Sequence, residues 1–121
     1  MSDKLISTPL RKRSEFQKVY KGGKFFTACF SVHFIKKETS HSPSIEYGIT
    51  VSKKNCGNAV SRNLIKRRIR EAFRLYGVSD ALTQYQIVFT ALKRAPEKSW
   101  NDYVRAMKKL SFLVQDYAQK N

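Results

Sequence analysis

The stretch RNLIKRRIREAFR, residues 62–74, constrains the fold more than any other part of this chain. Six of its thirteen side chains are Arg or Lys and one is acidic, yet Leu64, Ile65, Ile69, Ala72 and Phe73 are apolar. With Ile65 at zero and 100° per residue, Ile69, Ala72, Phe73 and Tyr76 fall between about −20° and +80°. Asn63, Lys66, Arg67, Arg70 and Arg74 fall between about 100° and 200°. Arg62 and Arg68 sit on opposite flanks. A helix divided in this way buries one face and leaves a dense cationic ridge on the other. Lys66, Arg70 and Arg74 also stack like charges four residues apart, which costs roughly 0.2–0.5 kcal/mol per pair in an isolated helix. The apolar face therefore needs a partner surface to hold the helix.

Strands supply that surface. FFTACFSVHFIKK is rich in aromatic and β-branched residues and predicts a strand, broken near Ala28. Two-residue alternation puts Phe30, Val32 and Phe34 on one face and Ser31, His33 and Ile35 on the other. IEYGITVS predicts another strand, after a polar loop at ETSHSPS. YQIVFTAL is nearly continuous in apolar residues, as expected of a strand buried on both faces. Helices flank these strands. RSEFQKVYKGG predicts a short one, with Ser14 and Gln17 as a capping box and Gly22–Gly23 as a left-handed stop. VSRNLIKRRIREAFRLYG is the basic helix, ended by Gly77. PEKSWNDYVRAMKKLSFLVQDYAQK predicts one long C-terminal helix starting near Pro96, with Tyr103, Met107, Leu110, Val114 and Tyr117 as its apolar stripe. The order α-β-β-β-α-β-α describes one α+β sandwich with helices on a small central sheet. The 121 residues suit a single domain. Residues 1–10 and 118–121 are expected to be flexible ends.

Charge narrows the function. Twenty-four Lys and Arg against nine Asp and Glu give +15. Such self-repulsion destabilises a compact chain unless a polyanion is the partner. Apolar runs are too short to span a bilayer, and MSDKLISTPLRKR lacks the apolar core of a signal peptide. Cys29 and Cys56 form no C-x-x-C, and two thiols fall short of a four-ligand structural zinc site. A reduced, cytoplasmic chain is expected. Arg outnumbers Lys five to one in residues 62–74. Its forked guanidinium suits phosphate and base contacts, so RNA is the favoured polyanion. A DNA-reading helix-turn-helix is disfavoured because a strand and a polar connection precede the basic helix. The nine acids are dispersed and form no cluster with His, so no protein-borne nuclease centre is expected and no catalytic residue is assigned.

YGITVSKKNCGNAVSRNLIKRRIREAFR closely resembles the signature of the bacterial ribonuclease P protein subunit. The matching residues are Val51-Ser52-Lys53-Lys54, Arg62-Asn63, Lys66-Arg67 and Arg70-Glu71. LRKRSEFQKVYKGG is similar to the family's N-terminal segment. The resemblance implies a left-handed β-α-β crossover through the basic helix, against the usual right-handed rule. It also implies a cofactor role. A catalytic RNA, with its bound Mg²⁺, removes the 5′ leader of precursor tRNA, and one protein binds that RNA and holds the leader. By resemblance, Arg62, Asn63, Lys66, Arg67 and Arg70 face the catalytic RNA. Arg68 and Arg74 extend that patch by charge and position alone. Phe16, Tyr20, Ser52, Lys53 and Lys54 map to the leader cleft, with Lys93 and Arg94 at its edge and either His33 or Phe34 on the outer sheet face. Single-stranded RNA held by aromatic stacking beside a cationic track fits Phe16 and Tyr20 among Lys12, Arg13, Lys18 and Lys21. The competing reading is a structural RNA-binding protein of ribosomal type, with no part in cleavage.

Overall fold

A computed structural model describes residues 7–10, 12–37 and 44–120. Strands β1 (Ser7–Pro9), β2 (Gly23–Phe26), β3 (Phe30–Lys36), β4 (Ile45–Thr50) and β5 (Tyr85–Ala91) form one mixed sheet. Their order is β1-β4-β5-β3-β2. Helix α1 (Arg13–Tyr20) lies between β1 and β2, and α2 (Lys53–Cys56) and α3 (Ala59–Ala72) link β4 to β5. Helices α4 (Trp100–Lys108) and α5 (Leu110–Lys120) complete the chain.

The two sheet faces have separate cores. Phe30, Val32, Phe34, Ile87 and Phe89 pack with Ile65, Ile69 and Phe73 of the basic helix and with Tyr103, Met107, Leu110 and Val114. Phe89 meets Phe30 edge-on at 5.4 Å and Phe73 at 5.3 Å between ring centres. Pairs of this kind add about 0.5–1.5 kcal/mol each beyond their burial. On the opposite face Val88 packs with Leu10 and Val19, and Phe16 and Ile35 close around them. Burial on both faces of β5 accounts for its unbroken apolar sequence.

The crossover from β4 to β5 is parallel and left-handed. Leu92 N–H donates to the Cys29 carbonyl and Lys37 N–H to that of Gln84, so even-numbered residues of β5 aim their backbone groups at β3. Val88, one of these, turns its side chain toward α1. With α1 in front and β5 running upward, an L-residue facing the viewer points its N–H and C=O to the right. That places β3 on the right and β4 on the left, with α3 behind. A chain moving left to right through a helix behind the sheet turns left-handed, the uncommon hand for such a connection.

Several local expectations need correction. Residues 7–10 are not a loose end. Ser7–Pro9 pairs parallel with Ile45–Tyr47, Leu10 N–H donates to the Tyr47 carbonyl at 2.7 Å, and Leu10 is buried. At the other end α5 continues through residues 118–120. Helix α1 is capped at Lys12, whose N–H donates to Glu15 Oε1 at 2.9 Å, and not at Ser14. Gly22 and Gly23 have no positive φ, so neither is a left-handed stop. They are needed for close approach, because a Cβ at either would strike Phe34. The one positive φ among the described residues is that of Gly57, +80°, between α2 and α3. The C-terminal helix is two helices. A 3₁₀ turn at Ala95–Glu97 precedes α4, whose true start is set by the Ser99–Asp102 capping box. It ends at Lys109, whose N–H reaches Ala106 and tightens the last turn. Except for Ser44, the expected polar loop at 38–44 lies outside the described residues.

Both cysteines are buried and unpaired. Burial, then the charge of Asp102, pushes the Cys29 thiol up to about 11, and burial also raises that of Cys56. Neither thiol should react with a disulfide reagent at pH 8 until the chain is unfolded in urea, because the thiolate is the nucleophile. Fast labelling of the native chain, followed by absorbance, would contradict this packing.

Candidate RNA interface

The cationic ridge has the phase read from the sequence as far as Phe73; there the helix passes into a π turn, Phe73–Gly77, and Tyr76, expected on the buried face, is exposed. Asn63, Arg67, Arg70 and Arg74 are exposed and Lys66 is half-buried, while Ile65, Ile69 and Ala72 are buried beneath. Asn58 fixes the start of α3, its Oδ1 accepting from Ser61 N–H at 2.9 Å. Among the described residues, Lys66, Arg67 and Arg70 have no acidic partner. The ridge is not uniform, however. Arg74 is held by Glu71, Nε to Oε1 and Nη2 to Oε2 at 2.9 Å each, and this pairing lowers the Glu71 pKa. Arg68 turns away from the ridge. Its Nη1 donates to the Lys98 carbonyl at 3.2 Å, and its guanidinium lies 5.9 Å from the centre of the Tyr103 ring. Arg62 is half-buried with its Nε enclosed and without a hydrogen-bond partner in the structure. Of the seven basic-helix residues singled out by sequence, Asn63, Lys66, Arg67 and Arg70 thus form the open part.

The second surface is the sheet face beneath α1. Register brings Gly48, Val88, His33 and Lys24 into one row, and Thr50, Thr90, Ser31 and Phe26 into the next. Helix α1 covers the first row. The Phe16 ring lies against Gly48, where an added Cβ would come 2.5 Å from Phe16 Cζ. Tyr20 is 42% exposed and meets His33 edge-on at 4.7 Å between ring centres. The second row stays more open. Thr50 donates to Thr90 Oγ1 at 3.0 Å, and Phe26 is exposed with Lys24 Nζ 4.7 Å from its ring centre. The parallel strands β4 and β5 both end on this side. Exposed Lys53, Lys54, Lys93 and Arg94 follow those ends, as does Ser52, which caps α2 by accepting from Asn55 N–H at 3.1 Å.

Phe34 does not belong to this surface. It is 3% exposed and packs on the other face against Phe25 and Tyr85. The two-residue alternation places His33 there instead. Lys24, Phe26, Thr50 and Thr90 were missed, because only cross-strand register brings them together. Burial, then the nearby Lys24 charge, holds His33 below its ordinary value of 6.5. The unfolded chain then takes up its proton first as pH falls, so stability should drop as pH descends below about 6.5. Urea titrations at fixed salt should show this slope in the native chain and a shallower one in His33→Gln. Equal slopes would show that His33 is not the group responsible.

The two surfaces meet. Phe16, Gly48, Pro9 and Leu10 line one side of a groove of about 190 Å³, and Lys66 and Arg70 line the other. Strand β1 stops short of the C-terminal half of β4, which leaves this passage open. Among the described residues no three His, Cys, Asp or Glu side chains gather into a metal site. No helix among them is long and apolar enough to cross a membrane.

A left-handed crossover carrying a cationic helix, beside a sheet cleft rimmed by aromatic and basic side chains, defines a distinctive class of small α+β protein. The Ribonuclease P family model matches residues 7–114. The ribonuclease P protein component of Clostridioides difficile is 39% identical over 84% of this chain and 86% of its own length. That of Macrococcus caseolyticus is 29% identical over 92% and 93%. Among solved structures, the Staphylococcus aureus RNase P protein superposes with a TM-score of 0.74 at 26% identity, over 92% of this chain and 98% of its own. The Thermotoga maritima protein gives 0.64 at 27%, over 84% and 96%. The chain belongs to the ribonuclease P protein family.

Proposed function

We propose that this chain is the protein partner of a catalytic RNA in a ribonuclease P holoenzyme that removes the 5′ leader from precursor tRNA. The observation that carries this reading is the open groove joining Phe16 to Lys66 and Arg70. A strand of RNA laid on the α1 cleft would pass directly to the cationic ridge. The ridge, with Arg62, Asn63, Lys66, Arg67 and Arg70, docks the catalytic RNA through phosphate contacts. Phe16 and Tyr20 stack leader bases, and Ser52, Lys53, Lys54, Lys93 and Arg94 hold the leader backbone at the strand ends. One protein serves each RNA, in a reducing cytoplasm that suits two buried thiols. Mg²⁺ and the hydrolytic step belong to the RNA. Among the described residues no three His, Cys, Asp or Glu side chains gather to hold the ion.

Reconstitution tests the reading. The chain is added to a bacterial ribonuclease P RNA at low Mg²⁺, and leader removal from precursor tRNA is followed on a gel. Faster cleavage than with RNA alone is expected. Equal rates despite RNA binding would favour a purely structural RNA-binding role.

A further inference from the structure

Beside the ridge lies a notch of about 280 Å³ lined by Arg67, Arg68, Arg70, Glu71 and Trp100. Trp100 begins α4 and is 37% exposed, although large aromatic side chains usually lie deeper. Its position is fixed from two sides. Arg68 ties the Lys98 carbonyl to α3, and Ser99 N–H donates to Asp102 Oδ2 at 2.9 Å. Glu71 forms one wall, but its carboxylate is already engaged by Arg74. Arg67 and Arg70 have no such partner and belong to both the notch and the ridge.

We infer that this notch takes one unpaired nucleobase of the RNA subunit, stacked on Trp100, with its flanking phosphates on Arg67 and Arg70. The inference rests on the reading that α3 docks the catalytic RNA. Three features favour a base over a bare anion. The notch walls are mostly carbon, an indole offers a stacking face, and planar guanidiniums can cover a base from beside it. The notch lies between α3 and α4, on the sheet face opposite the α1 cleft, so the base is assigned to the RNA subunit docked on α3 and not to the leader.

Trp100 is the only tryptophan, so its emission reports this notch alone. Titration with a bacterial ribonuclease P RNA should quench it, saturating at one RNA per chain. Sodium sulfate, which supplies charge without a base, should leave it unchanged. Trp100→Ala should weaken RNA affinity about tenfold, the effect of losing one stacked base. Trp100→Phe should stay within about threefold of the native chain, whereas Trp100→Leu should resemble the alanine variant. Melting curves confirm that each variant is folded. Wild-type binding by filter assay without a change in emission, or equal affinity of Phe and Leu variants, would overturn the notch alone. Failure of the wild-type chain to bind the RNA would overturn the docking reading with it.

Discussion

The double variant Arg67→Ala/Arg70→Ala should bind the ribonuclease P RNA at least a hundredfold more weakly, yet melt no lower than the native chain. Both side chains are exposed and lack acidic partners among the described residues, so the fold loses little with them. It even gains slightly, since like charges three and four residues apart are relieved on α3. Binding is another matter. Each phosphate released from a basic side chain returns its counterion, so the slope of log affinity against log salt should become shallower by roughly 1.4–1.8 for two contacts. Arg68→Ala should behave in the opposite way. It removes the bond to the Lys98 carbonyl and the cover over Tyr103, which costs the fold about 1–2 kcal/mol. Its salt slope should stay nearly unchanged. Arg74→Ala should lie between, because Glu71 already occupies that guanidinium. A native salt slope in the double variant would show that α3 does not face the RNA.

This sorting of arginines marks the boundary of what the sequence could disclose. The period of Ile65, Ile69, Ala72 and Phe73 reveals which side of α3 is buried, because burial follows helical phase and local spacing records it. Arg68 and Arg74 have the same composition as their neighbours. Their fates depend on a carbonyl thirty residues away and on one acid one turn back. The strands were equally legible, and alternation alone separates His33 from Phe34. Choosing between them needed the identity of the face that α1 covers. That face is set by the left-handed crossover, which no local pattern encodes and only the family resemblance implied. Strand β1 was hidden because three residues, one of them Pro9, carry no period to read. Parallel pairing with β4 at the sheet edge orders them, and Leu10 then supplies an apolar anchor beside Val19. Trp100 escaped for a similar reason, as its neighbours come from α3.

The second large effect is expected at Gly48, where the absence of a side chain lets the tip of the Phe16 ring reach the sheet. Phe16→Ala should weaken precursor tRNA binding to the holoenzyme about tenfold and leave mature tRNA binding unchanged, since only the precursor carries a leader to stack. Gly48→Val should produce the same selective loss by another route. Its Cβ would occupy the space of Phe16 Cζ, 2.5 Å away, and neither β4 backbone nor ring can yield without disturbing Leu10 and Val88. Overpacking of this kind costs about 1–3 kcal/mol of stability. Combining the two variants separates packing from stacking. With the ring removed, the introduced valine fills the gap, so the double variant should recover stability relative to Gly48→Val. It should not recover leader binding, because an aliphatic side chain restores volume but offers no stacking face. Melting temperature and the ratio of precursor to mature tRNA affinity would therefore part company in the double variant. If the ratio returned along with stability, Phe16 would be a packing residue, and the leader would be held by the lysines at the strand ends.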